Sequence, residues 1–128
     1  MAREQDPIRR KAASTAANFV IEGIVKIDFF DALFRQAINT PCKYCGTILT
    51  LNNMNVDHIE PLGSRTTRRQ RLPDRPENLQ VICRGCNQEK GDLSDEKYRK
   101  LLDFLSEDIE LYEYVTRKLR QSALTFKR

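Results

Sequence analysis

The 128-residue chain reads as a small α+β domain, a unit of short strands and loops set between two helical regions. Three observations predict this. Residues 7–39 carry apolar side chains at three- and four-residue spacing. Residues 40–92 concentrate all four cysteines, the single histidine and four of the five glycines, and residues 93–128 return to helical periodicity. A chain this long buries one core and is short for two, so the divisions 1–39, 40–92 and 93–128 are regions of one compact unit.

In the first region Pro7 suits a first helical turn, and Val20, Ile24, Ile27, Phe30, Phe34 and Ile38 form an apolar stripe. Gly23 and the β-branched run "VIEGIVKI" interrupt it, which predicts a break near residues 23–28 with Asp28 capping a second helix. The middle region is punctuated by "CGT", "LGS" and "PDRP", the marks of turns between short strands. Ser94 followed by Asp95 and Glu96 starts a helix whose buried face is Tyr98, Leu101, Leu102 and Leu105. A second start at Ser106 leads to Ile109, Tyr112, Val115 and Leu119.

A formal charge of +4 and a pI near 9.0 favour an anionic partner. No stretch approaches the roughly 20 apolar residues of a membrane span, and "MAREQDPIRRKAAS" lacks the apolar core of a secretory signal. The expectation is a soluble cytoplasmic protein. Disulfides do not persist in that reducing compartment, so cysteines in two pairs call for a metal.

The pairs are "CKYC" (Cys42, Cys45) and "CRGC" (Cys83, Cys86). Two intervening residues let a tight turn present both thiolates to one ion, and two such turns complete a tetrahedral zinc site. The 37 residues between the pairs exceed an ordinary zinc-finger loop, so a folded insertion lies between the knuckles. Four thiolates leave no open position for water, which makes this zinc structural.

Inside the insertion lies "VDHIEPLG", then "RPENLQVICRGCNQEKG". A neutral imidazole such as His58 accepts a proton near neutral pH. Asp57 adds an anionic oxygen, and Asn87, just after the last cysteine, adds a carbonyl oxygen that the closing knuckle brings near. Two hard oxygen donors suit Mg²⁺ or Mn²⁺, and phosphoryl transfer needs such a cation beside the phosphate.

Asp57-His58-Ile59 with Pro61, Glu77-Asn78-Leu79, Cys83-x-x-Cys86-Asn87, Lys90-Gly91 and the outer CxxC, taken in that order, resemble the HNH nucleases, also called His-Me finger or ββα-metal nucleases. The resemblance covers about residues 40–92. It implies a zinc-stapled ββα-metal core and an endonuclease that hydrolyses phosphodiester bonds to a 5′-phosphate and a 3′-hydroxyl. By the same resemblance His58 is the general base, Asp57 and Asn87 hold one divalent ion, and Asn78 fixes the loop that aims the histidine. The last position is commonly histidine in the family, so Asn87 marks an HNN variant. Stand-alone members are frequent in phages and mobile elements, and the analogy extends to that setting.

Plainer alternatives stand beside each assignment: His58 a structural histidine, Asn78 a turn residue, Asn87 a helix cap. Arg65, Arg68, Arg69, Arg71 and Arg75, against the single acid Asp74, read as a loop that grips a phosphate backbone or as a solvated charge run. Arg84 and Lys90 are expected to add nucleic-acid contacts, and the basic ends, Arg9-Arg10-Lys11 and Arg117-Lys118-Arg120 with Lys127-Arg128, extend the footprint or solvate helix termini. Asp95 to Glu113 holds seven acids against three bases, a poor surface for DNA that belongs away from the cleft. The flanking stripes pack on each other and on the core, or dock a second copy or a larger DNA-processing partner. The whole reads as a metal-dependent DNA endonuclease of low sequence specificity. The alternatives are a non-catalytic zinc-ribbon DNA-binding module and an accessory subunit of a larger assembly.

Overall fold

A computed structural model describes residues 6–61 and 73–126 of the chain, with side chains to residue 120. Its elements are α1 (Pro7–Ala16), α2 (Lys26–Ala37), β1 (Met54–His58), a 3-10 turn (Pro76–Asn78), β2 (Leu79–Cys83), α3 (Arg84–Lys90), α4 (Asp95–Ser106) and α5 (Ile109–Phe126). The α+β expectation holds: one two-stranded antiparallel sheet runs into a short helix, with helices on both sides in sequence.

α1 starts where Asp6 accepts from the backbone N–H groups of Ile8 and Arg9, with Pro7 in the first turn. The break after it is wider than expected. It runs from Ala17 to Val25, Gly23 adopts φ 81°, and Asp28 lies inside the first turn of α2 instead of capping it. The tertiary fold uses this stretch: the N–H of Val20 donates to Asp74 Oδ2 at 3.0 Å, and the Val20 carbonyl accepts from the Asp74 N–H. Extended backbone anchored to a distant loop suits the β-branched residues here better than continued helix.

α2 drives Phe30 and Phe34, both fully buried, against β2, Met54 and Ile82. α1 packs on α2 through Ala12 and Ala16, small residues that allow close approach. β1 pairs with β2 in the register Met54↔Cys83 through Asp57↔Gln80 to His58↔Leu79. β2 therefore delivers the second cysteine pair directly into α3.

On the other side, Ser94 caps α4 by accepting from Lys97 N–H, as its sequence suggests. Tyr98 and Leu105 are buried and Leu101 and Leu102 half-buried. The last helix begins differently from expectation: Asp108 accepts from Leu111 N–H, while Ser106 turns back to the Asp103 carbonyl. Ile109 is 70% exposed and does not join the buried stripe, which runs through Tyr112, Val115, Thr116 and Leu119 instead. α5 packs on α3 and α4, so the C-terminal helices brace the helix that carries Cys86 and Asn87. No helix among the described residues is long and apolar enough to cross a membrane.

Candidate active site and metal centre

The two knuckles meet. Cys42, Cys45, Cys83 and Cys86 bring their sulfurs within 4.8 Å of one another, with Cys45 Sγ 3.6 Å from Cys83 Sγ. A tetrahedron of Zn–S bonds of about 2.3 Å requires sulfur separations of about 3.8 Å, so the donor set suits zinc. The first knuckle closes through Gly46, whose N–H donates to the Cys42 carbonyl and whose φ of 79° is a left-handed geometry that glycine adopts without strain. In the second, Cys83 caps α3 by accepting from Cys86 N–H. Bonds from Cys86, Cys45 and Cys42 sulfurs pull the Cys83 thiol down to about 5. The Cys83 sulfur in turn pushes the Cys86 thiol up, and burial raises Cys45. Crowded sulfurs cannot all ionise unaided, and a divalent cation removes that obstacle.

At the opposite end of α3 a cavity of about 210 Å³ is lined by Val56, Asp57, His58, Pro61, Asn87, Gly91 and Asp92. β1 supplies Asp57 and His58 and α3 supplies Asn87, so the strand paired to β2 and the helix that β2 runs into through the second cysteine knuckle converge on one space. Asn87 lies within α3, whose cap is Cys83, and so is not its N-terminal cap. α3 ends at Gly91, with φ 49°, where the chain turns to place Asp92 at the rim.

Asp57 is buried, and Oδ2 accepts from Gln80 Nε2 at 2.9 Å and lies 3.1 Å from Lys90 Nζ. Both contacts fall on Oδ2, and none among the described residues falls on Oδ1. With the amide of Asn87 and the carboxylate of Asp92 in the same cavity, the oxygen donors suit a hard divalent ion. Gln80 is held in turn by Lys43 and the Tyr44 hydroxyl, which ties the first knuckle to Asp57. Tyr44 itself donates to Asp95, and burial together with that bond raises its phenol above the ordinary range.

Asn78 clamps the loop after His58: Oδ1 accepts from Glu60 N–H at 2.9 Å and Nδ2 donates to the Glu60 carbonyl at 3.0 Å. His58 Nε2 lies 2.8 Å from Asp74 Oδ1, and the ring of Phe19 flanks the imidazole at 5.6 Å between centroids.

Lys90 requires a correction. Its side chain is buried, with Nζ donating to the His58 carbonyl at 2.8 Å beside Asp57, so it is not a surface phosphate contact. A buried ammonium is retained where it has a carboxylate, and Asp57 supplies one. Arg75 and Arg84 are exposed, and Arg84 also donates to the Asn52 carbonyl. Arg65, Arg68, Arg69 and Arg71 lie outside the described residues. Asp74, Phe19, Gln80 and Asp92 were not singled out as site residues by sequence reasoning. Only Gln80 carries a local signal, since it faces Asp57 across an antiparallel pair that "VDH" and "LQVIC" could have been aligned to form.

A strand-borne Asp-His pair and a helix-borne asparagine thus share one cavity, the arrangement that a ββα-metal core is expected to have. Residues 42–93 match the family model described as HNH endonuclease, and this segment is an HNH domain. The chain is 36% identical over 102 residues to the CRISPR-associated endonuclease Cas9 of Corynebacterium diphtheriae (strain ATCC 700971 / NCTC 13129 / Biotype gravis), a match covering 70% of this chain. It spans only 9% of that relative. No solved structure matches the chain significantly.

Proposed function

We propose that the chain is a metal-dependent DNA endonuclease, with His58 as general base and Asp57 and Asn87 holding one Mg²⁺ or Mn²⁺ ion. The observation that carries this is the convergence of Asp57, His58 and Asn87 on a single cavity. The imidazole takes a proton from water at the scissile phosphate, and Asn78 holds the loop that aims it. When bound, the divalent ion offsets negative charge on the phosphate and the leaving 3′ oxygen. Lys90 and Gln80 hold Asp57 Oδ2 in its buried position. The four-cysteine cluster binds structural Zn²⁺ and sets the angle between β2 and α3. Arg75, Arg84 and the arginines at 65, 68, 69 and 71 hold the phosphate backbone without reading bases.

The name of the Cas9 relative favours a second reading, in which this unit cuts as part of a larger DNA-processing assembly. Exposed Phe104 and Ile109 on the C-terminal helices are consistent with it.

Plasmid cleavage by wild type and His58→Ala, with Mg²⁺, Mn²⁺ or EDTA and with zinc content checked, tests the first reading. Wild type is expected to nick or linearise DNA only with added metal, and the variant to fold with its zinc yet lose at least ~100-fold in rate. Zinc-loaded wild type that binds DNA and never cuts alone would overturn autonomous catalysis in favour of the assembly.

A further inference from the structure

We propose that Asp74 is the positioning residue of His58: it fixes the imidazole as the Nε2–H tautomer, leaving Nδ1 as the nitrogen that takes the proton. The proposal rests on the nuclease reading and adds to it a residue that none of the quoted sequence motifs assigns to the site.

An ionised carboxylate only accepts hydrogen bonds, so the 2.8 Å contact from Asp74 Oδ1 requires the proton on Nε2. The other oxygen, Oδ2, accepts the N–H of Val20, so both oxygens act as acceptors. The Asp74 side chain is wholly buried while the His58 side chain is 21% exposed, so the carboxylate lies on the inner side of a ring that still reaches the cavity. Phe19 flanks the imidazole, and the two hydrogen bonds between Val20 and Asp74, one backbone to backbone and one from the Val20 N–H to the carboxylate, hold aromatic ring and carboxylate in one frame. A neutral imidazole has one donor and one acceptor nitrogen, and the bond made by one decides the role of the other. The Ala17–Val25 break therefore has a use: it brings the N-terminal region in behind the base.

His58 is the only histidine, so its ring nitrogens are assigned without ambiguity in long-range ¹H–¹⁵N NMR spectra. Wild type at a pH where the imidazole is neutral is expected to show Nε2 protonated and Nδ1 bare. In Asp74→Asn the amide oxygen can keep the Val20 N–H while the amide NH₂ faces Nε2, which turns the ring to the Nδ1–H form. Cleavage should then fall by ~100-fold or more in kcat with KM little changed, as expected when a base is held in the wrong tautomer. A wild-type ring found as Nδ1–H overturns the proposal without any variant. So does a folded Asp74→Asn protein that keeps the wild-type tautomer and rate. An Nε2–H ring that flips in Asp74→Asn, in a wild type that never cuts, supports Asp74 as the anchor of the tautomer and overturns the nuclease reading alone.

Discussion

The ammonium of Lys90 sits between Asp57 Oδ2 and the His58 carbonyl, and both charged side chains are almost wholly out of water. Removing one member of such a pair leaves a buried charge uncompensated. Lys90→Met is expected to lower unfolding free energy by about 3 kcal/mol in chemical denaturation. If a divalent ion occupies the neighbouring Asp57, added Mg²⁺ or Mn²⁺ should restore more stability to the variant than it adds to wild type, since the ion replaces the lost positive charge. Equal metal stabilisation of both proteins would place the ion away from Asp57. Glu89 poses a related case, because Arg120 Nε lies 2.6 Å from Oε1 but out of line for a hydrogen bond, while Tyr98 donates to Oε2. Arg120→Ala is expected to destabilise the fold by roughly 1–3 kcal/mol, measured by urea unfolding, because Glu89 is left buried with one neutral partner.

At the level of elements, the cysteine knuckles lie where β2 enters α3, the helix that carries Asn87. Cys86 and Cys45 are raised above the ordinary thiol range, so without metal they carry protons at neutral pH. Zinc must displace those protons. Binding at pH 7 should therefore release protons, and zinc affinity should fall as pH is lowered. Calorimetric zinc titrations in two buffers of different ionisation enthalpy read this directly, and buffer-independent heats would refute it. A strong chelator is expected to remove the zinc and with it the β1–β2 pairing, seen as lost far-ultraviolet dichroism, because the small core between the knuckles has little apolar burial of its own. The helical elements show where periodicity reads well and where it does not. α4 follows its capping serine and apolar spacing closely, whereas the 7–39 stripe breaks earlier than its pattern suggests. Val20 finds a hydrogen-bond partner 54 residues away, and no local signal records that.

Across the whole molecule, apolar side chains remain in solvent on the C-terminal helices, with Phe104 67% and Ile109 70% exposed. Replacing Phe104 by Ser is expected to change stability by no more than about 0.5 kcal/mol, because almost no buried contact is lost. Arg84 is exposed, so Arg84→Ala should weaken binding to unrelated duplexes alike and reduce the magnitude of the logarithmic salt slope by about 1. Fluorescence anisotropy across a salt series checks this. An unchanged slope would remove Arg84 from the phosphate footprint.

The Cys-x-x-Cys pairs and the Asp57-His58 dipeptide were legible because metal ligation and proton transfer demand particular residue types at short spacing, and short spacing is what a sequence displays. On those grounds the chain by itself determined the α+β class, the cysteine cluster and the strand that carries the histidine. Tertiary structure alone decided that Lys90 turns inward and that Asp74 lies behind His58. Each depends on a contact between distant segments. The energy of burying a charge or fixing a tautomer is set by what the fold brings alongside, which residue order does not encode locally.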